Sequence, residues 1–218
     1  MKPSTYYPSI QIDFNGWTVE VVRLSFGEIS SPISFHKHGK NCFEFHFIKN
    51  GRGTLLLEDA QHPISKDCFF VTGPEIMHAQ LPDSKDPFVE YCLNIAITAK
   101  GNTKDSLLTS LLNMTTFLSE NNTDLMLKIE LLFSEFKHQE IGSEHYQQLL
   151  IQEILIDCIR QNNTQKSVNS QAAISDTKAL LTDHQRSLAI DQYFLHQYHD
   201  LSLENLAQTL SLSSRQTQ

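Results

Sequence analysis

Hydrophobic and polar residues alternate along roughly the first hundred positions, which is the pattern of half-buried β-strands. Trp17, Val19 and Val21 alternate with polar neighbours, and turn residues recur roughly every eight to twelve positions. The same alternation predicts strands at 68–72 and 88–97. Many short strands separated by Gly, Pro and Asp turns predict a small barrel or sandwich that leaves few strand edges exposed.

One strand of this region has two chemically distinct faces. One face carries Glu44, His46 and Ile48, and the opposite face carries Phe43, Phe45 and Phe47. We expect the phenylalanine face to pack between the barrel and the helices that follow. The dipeptide Asn50-Gly51 favours the positive φ angles of a tight hairpin, so we expect residues 53–58 to return as the partner strand.

After residue 100 the hydrophobic period becomes that of helices. The first two stripes are Leu107, Leu108, Leu111, Leu112 and Leu118, and then Leu125, Ile129, Leu132, Phe133 and Phe136. A third helix is expected over 143–161 with Ser143 as its N-cap. Residues 162–180 are mostly polar and small, which is typical of a flexible linker.

Composition and charge restrict the class of protein. The chain has 218 residues, 40% of them hydrophobic, and 17 Lys and Arg against 25 Asp and Glu give a net charge of −8. These values exclude global disorder and a uniformly basic nucleic-acid coat. No apolar stretch approaches the roughly 20 residues that span a bilayer, so we expect no membrane association. Widely spaced cysteines without metal-binding spacing predict buried free thiols in the cytoplasm: Cys42, Cys68, Cys92 and Cys158.

The histidine-rich region carries most of the chemistry. His36 and His38 lie at i and i + 2, and a barrel would bring Glu44 and His78 to the same interior. Three interpretations stay open. In the first, the histidines are ordinary satisfied or exposed polar groups, which explains Lys37, His62 and His36. In the second, His36, His38, Glu44 and His78 bind Fe, Mn, Ni or Zn. In the third, His38, Glu44, His46 and His78 anchor a small effector in a metal-free pocket. We favour the third and therefore expect no metal and no cofactor.

The spacing of these residues resembles a known family. The two metal-binding motifs of the cupins are similar to the series His36, His38, Glu44, Gly51, Pro74 and His78. The resemblance implies a cupin-like barrel whose interior holds the four candidate side chains.

The C-terminal residues carry a second signal. A helix expected over 202–210 has an apolar face with one small residue: Leu203, Leu206, Ala207 and Leu210. The small side chain of Ala207 lets a second helix cross closely, as helix-turn-helix packing requires. Leu212 would fill the turn and Ser213 would cap a further helix.

The order of a cupin-like half, helices, a polar linker and these last helices resembles the AraC/XylS family of transcription regulators over nearly the whole chain. The resemblance implies a mixed fold. It implies an N-terminal all-β cupin-like effector-binding barrel (1–100), a helical dimerisation region (101–161), a linker (162–180) and a partial all-α helix-turn-helix domain (181–218).

The resemblance also implies function. Ser214, Arg215 and Gln216 fall at the start of the first recognition helix and are the expected DNA-binding residues. Because the sequence stops at Gln218, we expect this domain to be incomplete and specific DNA binding to need a longer form. We therefore expect an effector-responsive regulator rather than an enzyme, and a homodimer that forms through the helix over 143–161. The alternative is a metal-dependent cupin enzyme, such as a small-molecule dioxygenase or isomerase.

Overall fold

The structure is a computed structural model that describes residues 3–101 and 103–164. Within this part, the strands are β1 (Ser4–Tyr6), β2 (Gln11–Phe14), β3 (Trp17–Ile29), β4 (Ile33–His36), β5 (Cys42–Asn50), β6 (Arg52–Leu57), β7 (Gln61–Ser65), β8 (Phe69–Thr72), β9 (His78–Pro82), β10 (Phe88–Ala99) and β11 (Thr116–Ser119). The helices are α1 (Ser106–Leu112), α2 (Thr123–His138) and α3 (Ser143–Thr164). The helix-turn-helix expected over 181–218 and all but the start of the expected linker lie outside the described residues.

Two antiparallel sheets form the body of the domain. The larger sheet has the order β1-β3-β10-β5-β8-β11, with β2 paired to β3, and the smaller has the order β4-β9-β6-β7. Buried apolar side chains from both sheets form one cluster between them: Ile48, Leu55, Ile64, Cys68, Phe70 and Phe88. The sheets therefore pack face to face, and the strand-rich first hundred residues are as expected.

The two faces of β5 are as the alternation predicts. Glu44, His46 and Ile48 point between the sheets, whereas Phe43, Phe45 and Phe47 belong to the main core together with the helices. Both edges of β5 are paired, one with β10 and the other with β8. This central strand therefore separates the interior of the barrel from the core under the helices.

The prediction that the strand after Gly51 pairs with β5 in a hairpin is wrong. Gly51 does have a positive φ of 74°, but β6 pairs with β7 and β9 in the other sheet. Because β8 and β10 already occupy both edges of β5, the chain turns a corner into the second sheet. A Cβ on Gly51 would lie 2.2 Å from the carbonyl oxygen of Pro87. The dipeptide therefore indicated a backbone angle correctly, and it did not determine the partner strand.

The helices cover the outer face of the larger sheet. The second stripe is confirmed, since all five of its residues are buried in α2: Leu125, Ile129, Leu132, Phe133 and Phe136. In α3, Leu150, Ile151, Ile154 and Leu155 are buried, whereas Tyr146 and Leu149 are 42% and 60% exposed. No helix in the described part of the chain has the length and apolar character needed to cross a membrane.

Two details of the helical region differ from expectation. Leu118 lies in β11 and not on the first helix, because the short segment extends the larger sheet by pairing with the free edge of β8. Ser143 does not act as an N-cap. Its hydroxyl instead donates to the carbonyl and carboxylate oxygens of Glu135 at the end of α2, which ties the two helices together.

Candidate functional site

One end of the barrel interior is polar. His36 ends β4 and lies opposite His78, the first residue of β9, in the register of the smaller sheet. Glu44 and His46 project from β5 in the facing sheet, and His38 follows β4 in the connection to β5. The pairing of β4 with β9 thus brings together His36 and His78, which are 42 positions apart in sequence.

The Glu44 carboxylate is only 3% exposed and is the centre of a group that we call the histidine cluster, which consists of His36, His38, Glu44, His46 and His78. Distances from its Oε2 to imidazole Nε2 atoms are 2.7 Å for His38, 3.2 Å for His46, 3.3 Å for His78 and 3.8 Å for His36. Its Oε1 accepts hydrogen bonds from Arg23 Nη2 and from Cys92 Sγ, each at 3.1 Å. One carboxylate oxygen is therefore fixed by its neighbours, while the other faces the imidazoles.

A second layer of contacts orients His46. Its Nδ1 lies 3.1 Å from Glu90 Oε2, and Gln80 Nε2 donates to the same oxygen at 3.1 Å. The Phe70 ring stacks on the imidazole with ring centroids 4.3 Å apart. These contacts hold the ring between two carboxylates, so that its position is determined by the fold.

Burial and charge change the pKa values of the cluster. Burial alone would raise the pKa of the Glu44 carboxyl, but the charges of His46 and His38 hold it well below its usual range. Burial alone would lower the pKa of His46, but the carboxylates of Glu44 and Glu90 raise it to about 9. Burial lowers the pKa of His78 despite its hydrogen bond with Glu44, and burial and Glu44 together raise that of the Cys92 thiol.

Several buried polar atoms at this end have no hydrogen-bond partner in the described part of the chain. They are Arg23 Nε, Ser34 Oγ, His46 Nε2 and Gln80 Oε1. The His46 nitrogen lies close to Glu44 without the alignment of a hydrogen bond. Buried polar groups are almost always paired in folded proteins, so these donors and acceptors are suited to a bound polar ligand.

Two groups of side chains here have the spacing needed to hold a metal ion. His36, His38, Glu44 and His78 offer ligand atoms that all lie within 4.8 Å of one another, and so do Glu44, His46 and Cys92. Imidazole and carboxylate donors suit Fe, Mn, Ni and Zn. The polar end can therefore accept a small polar molecule, a metal ion, or both.

The structure brings together the four side chains singled out from the sequence: His38, Glu44, His46 and His78. It also adds His36, which we had interpreted as an ordinary polar group although its i, i + 2 spacing to His38 indicated a shared face. Arg23, Gln80, Glu90 and Cys92 were not anticipated, because no local motif connects them to Glu44. Ser214, Arg215 and Gln216, the expected DNA-binding residues, lie outside the described part of the chain.

A family model described as the AraC-like ligand binding domain matches residues 30–159. The chain belongs to this family. The match includes the smaller sheet, strands β5, β8, β10 and β11 of the larger sheet, all of α1 and α2 and most of α3, and every residue of the histidine cluster. The described part is thus a cupin-like barrel-type domain with flanking helices, and the expectation of an AraC-like ligand-binding domain is confirmed.

Solved structures similar to this AraC-like domain have low sequence identity. One is a cupin protein from Bacteroides fragilis, with 16% identity, a TM-score of 0.30, and coverage of 43% of this chain and 73% of that chain. Another is an apo variant of ToxT from Vibrio cholerae, with 11% identity and a TM-score of 0.43; the alignment covers 92% of this chain and 72% of that chain. A third is a Cupin 2 conserved barrel domain protein from Salinispora arenicola, with 14% identity and a TM-score of 0.31; the alignment covers 42% of this chain and 72% of that chain. No curated protein matches the sequence.

Proposed function

We propose that this protein is an effector-responsive transcription regulator of the cytoplasm, with a small effector bound at the polar end of its barrel. The observation that carries the proposal is the match of the AraC-like ligand-binding family across residues 30–159, which encloses the histidine cluster. The resemblance of the C-terminal residues to a helix-turn-helix adds DNA as the macromolecular partner. Ser214, Arg215 and Gln216 would contact it.

The lining of the barrel indicates what kind of effector fits. The apolar end is filled by Ile48, Leu55, Phe70 and Phe88, so a long hydrocarbon has no place there. The polar end offers buried donors and acceptors without partners, and the Arg23 side chain beside them is 38% exposed. We infer that the effector is small and polar and that it enters on the side of Arg23.

The position of β5 suggests how effector binding reaches the rest of the chain. Glu44 and His46 face the site, while Phe45 and Phe47 on the opposite face pack in the core that includes α2 and α3. An effector that repositions β5 therefore changes the packing of α3, which leads into the C-terminal residues. If the protein exchanges between two conformations that differ in the position of β5, the effector can shift the equilibrium between them only by the difference between its binding free energies for the two.

We also expect a homodimer in this function. Tyr146 and Leu149 on α3 are exposed apolar side chains, and Leu127 and Leu131 on α2 are 59% and 39% exposed. Symmetric pairing of the same helices in two copies covers such residues, and twofold dimers are the commonest protein oligomers.

The proposal is tested in the host that carries the gene. An epitope-tagged protein, expressed from its own locus, is crosslinked to DNA and recovered, and transcripts are compared between wild-type and deletion strains. We expect enriched DNA segments to lie upstream of the genes whose transcripts change on deletion. A deletion that leaves every transcript unchanged, together with no enriched DNA, would contradict the proposal.

A metal-dependent cupin enzyme remains the second candidate, and the convergence of three histidines and one carboxylate favours it. If the protein is a small-molecule dioxygenase or isomerase, we expect a different result in the wild-type and deletion strains. A metabolite would accumulate on deletion, and transcripts would change only as a consequence. Purified metal-loaded protein would then consume that metabolite.

A further inference from the structure

We propose that a cavity outside the barrel interior is a second ligand site, which binds a small organic cation: an ammonium or guanidinium group on an aromatic or alkyl body. The cavity lies between residues 6–10, which connect β1 to β2, and the turn from α2 into α3. We call it the turn cavity. Its volume of about 660 Å³ is within the range of small-molecule sites, about 300–1,000 Å³. Among the described residues that line it, none belongs to the histidine cluster, so this site is separate from the one proposed for the effector.

Both walls of the turn cavity are held in place by packing and hydrogen bonds. On one side, β1 pairs with β3, and the Tyr6 ring lies on α2 with its centroid 5.4 Å from that of Phe136. On the other side, the backbone amide of Ser143 donates to the carbonyl oxygen of Glu140 and closes the turn between the helices. Because these contacts belong to the fold itself, the cavity is formed before a ligand binds.

The charged side chains of the lining favour a cation. Glu140 and Glu144 both line the turn cavity at exposed positions. No lysine or arginine within the described part of the chain lines it, and His145 is the one histidine there. A bound cation therefore meets two carboxylates and no opposing ammonium or guanidinium group, which is the charge complementarity that selects a ligand by its sign.

Aromatic rings in the same lining favour an organic cation over a metal ion. Tyr6, Tyr7 and Phe136 all line the turn cavity, and Tyr7 is 70% exposed although it is a large side chain. The face of an aromatic ring attracts an ammonium or guanidinium group that lies within about 6 Å of its centroid. The apolar body of an organic cation also packs against these rings, which a hydrated metal ion does not.

The buried part of the lining is polar. Ser143 and Gln147 are 7% and 6% exposed, and both line the turn cavity. The Ser143 hydroxyl donates to the Glu135 carboxylate, and Gln147 Nε2 donates to the Ser143 hydroxyl oxygen at 3.4 Å. Because the amide nitrogen of Gln147 is used in this way, a ligand N–H that reaches this depth meets the amide oxygen, which accepts.

An anion is the alternative occupant, because the turn cavity includes the first turn of α3 and helix N-termini attract negative charge. Glu144 already lies in that first turn, and Glu140 precedes it by a few residues. Their negative charges complement the helix dipole and repel a further anion. The lining therefore selects a cation, and an anion of the same size serves as the comparison in the test.

The test uses the full chain and two fluorinated probes of similar size and opposite charge, para-fluorobenzylammonium and para-fluorophenylacetate. The fluorine NMR signal of each probe is recorded during titration with the protein. We expect saturable line broadening of the ammonium probe, with a Kd of about 1 mM or tighter, and none of the carboxylate probe. The double variant Glu140→Gln/Glu144→Gln should weaken binding about 5- to 10-fold, and Tyr7→Ala about 2- to 5-fold.

Glu58→Gln is the matched control, because this exposed glutamate lies outside the lining of the turn cavity, and it should bind the ammonium probe as the wild type does. All of the substituted side chains are exposed, and circular dichroism checks that each variant is folded. The absence of saturable binding at about 10 mM ammonium probe, an order of magnitude above the expected Kd, would overturn the proposal. Equal binding of the two probes, or unchanged binding by the double variant, would overturn it equally.

Discussion

Replacement of Gly51 by alanine tests the corner that joins the two sheets at the end of β5. The φ angle of Gly51 is 74°, and an alanine in the left-handed region costs about 1–2 kcal/mol. The added Cβ would lie 2.2 Å from the carbonyl oxygen of Pro87 and 2.7 Å from Phe88 Cα. Both are backbone atoms, so the chain itself must move, by about 0.8 Å to reach a tolerable 3.0 Å.

The size of the effect follows from these two contributions. Overpacking of this kind typically costs about 1–3 kcal/mol, so Gly51→Ala should lower the free energy of unfolding by about 2–5 kcal/mol in total. Gly142→Ala is the matched control, because Gly142 has a φ of 83° and a Cβ there has no atom within 4 Å. The control should lose only the backbone contribution of about 1–2 kcal/mol.

The assay is urea unfolding followed by the fluorescence of Trp17, the one tryptophan of the chain, which is 1% exposed in the core. The difference between the two variants isolates the clash with Pro87. Equal losses in Gly51→Ala and Gly142→Ala would refute the reasoning, because the chain at Gly51 would then not pass close to the Pro87 backbone.

Three further predictions use the same assay or a direct measurement of mass. With EDTA present, Glu44→Gln should lower the free energy of unfolding by about 3 kcal/mol because Arg23 and the imidazoles lose their shared carboxylate. The control Glu58→Gln, at an exposed position, should change that free energy by less than about 0.5 kcal/mol. Equal effects of the two substitutions would contradict the central role of Glu44. Phe133→Ala should cost about 3–5 kcal/mol because that ring is buried against Tyr91, and Leu131→Ala, at a partly exposed site, should cost far less. Sedimentation should show a dimer for the wild type and a monomer for Leu149→Glu; a wild-type monomer at micromolar concentration would remove the dimer.

Local periodicity was sufficient for much of the fold. The alternation at Trp17, Val19 and Val21 identified residues buried in β3, and the stripe in α2 identified its buried face. These predictions succeeded because burial of one face imposes a period of two on a strand and about 3.6 on a helix. The same reasoning assigned the inward face of β5 and so placed Glu44 and His46 in the barrel.

Partner choice could not be predicted in this way. Asn50-Gly51 permits a positive φ in a hairpin and in a corner alike, and only the pairing of both edges of β5 decides between them. The spacing of Leu118 from the preceding leucines fits the apolar face of a helix, but its segment forms a strand because it pairs with the otherwise free edge of β8. The contacts of Arg23 and Cys92 with Glu44 span 21 and 48 positions, so sequence spacing contains no signal for them.

The most direct test of the account is the effect of the histidine cluster on transcription in the host. His38→Gln and His62→Gln are introduced at the native locus, protein levels are matched by immunoblot, and transcripts are compared with those of the wild type and the deletion strain. The account predicts that His38→Gln changes the genes that respond to the deletion and that His62→Gln does not. A His38→Gln strain with wild-type transcripts at equal protein abundance would contradict it.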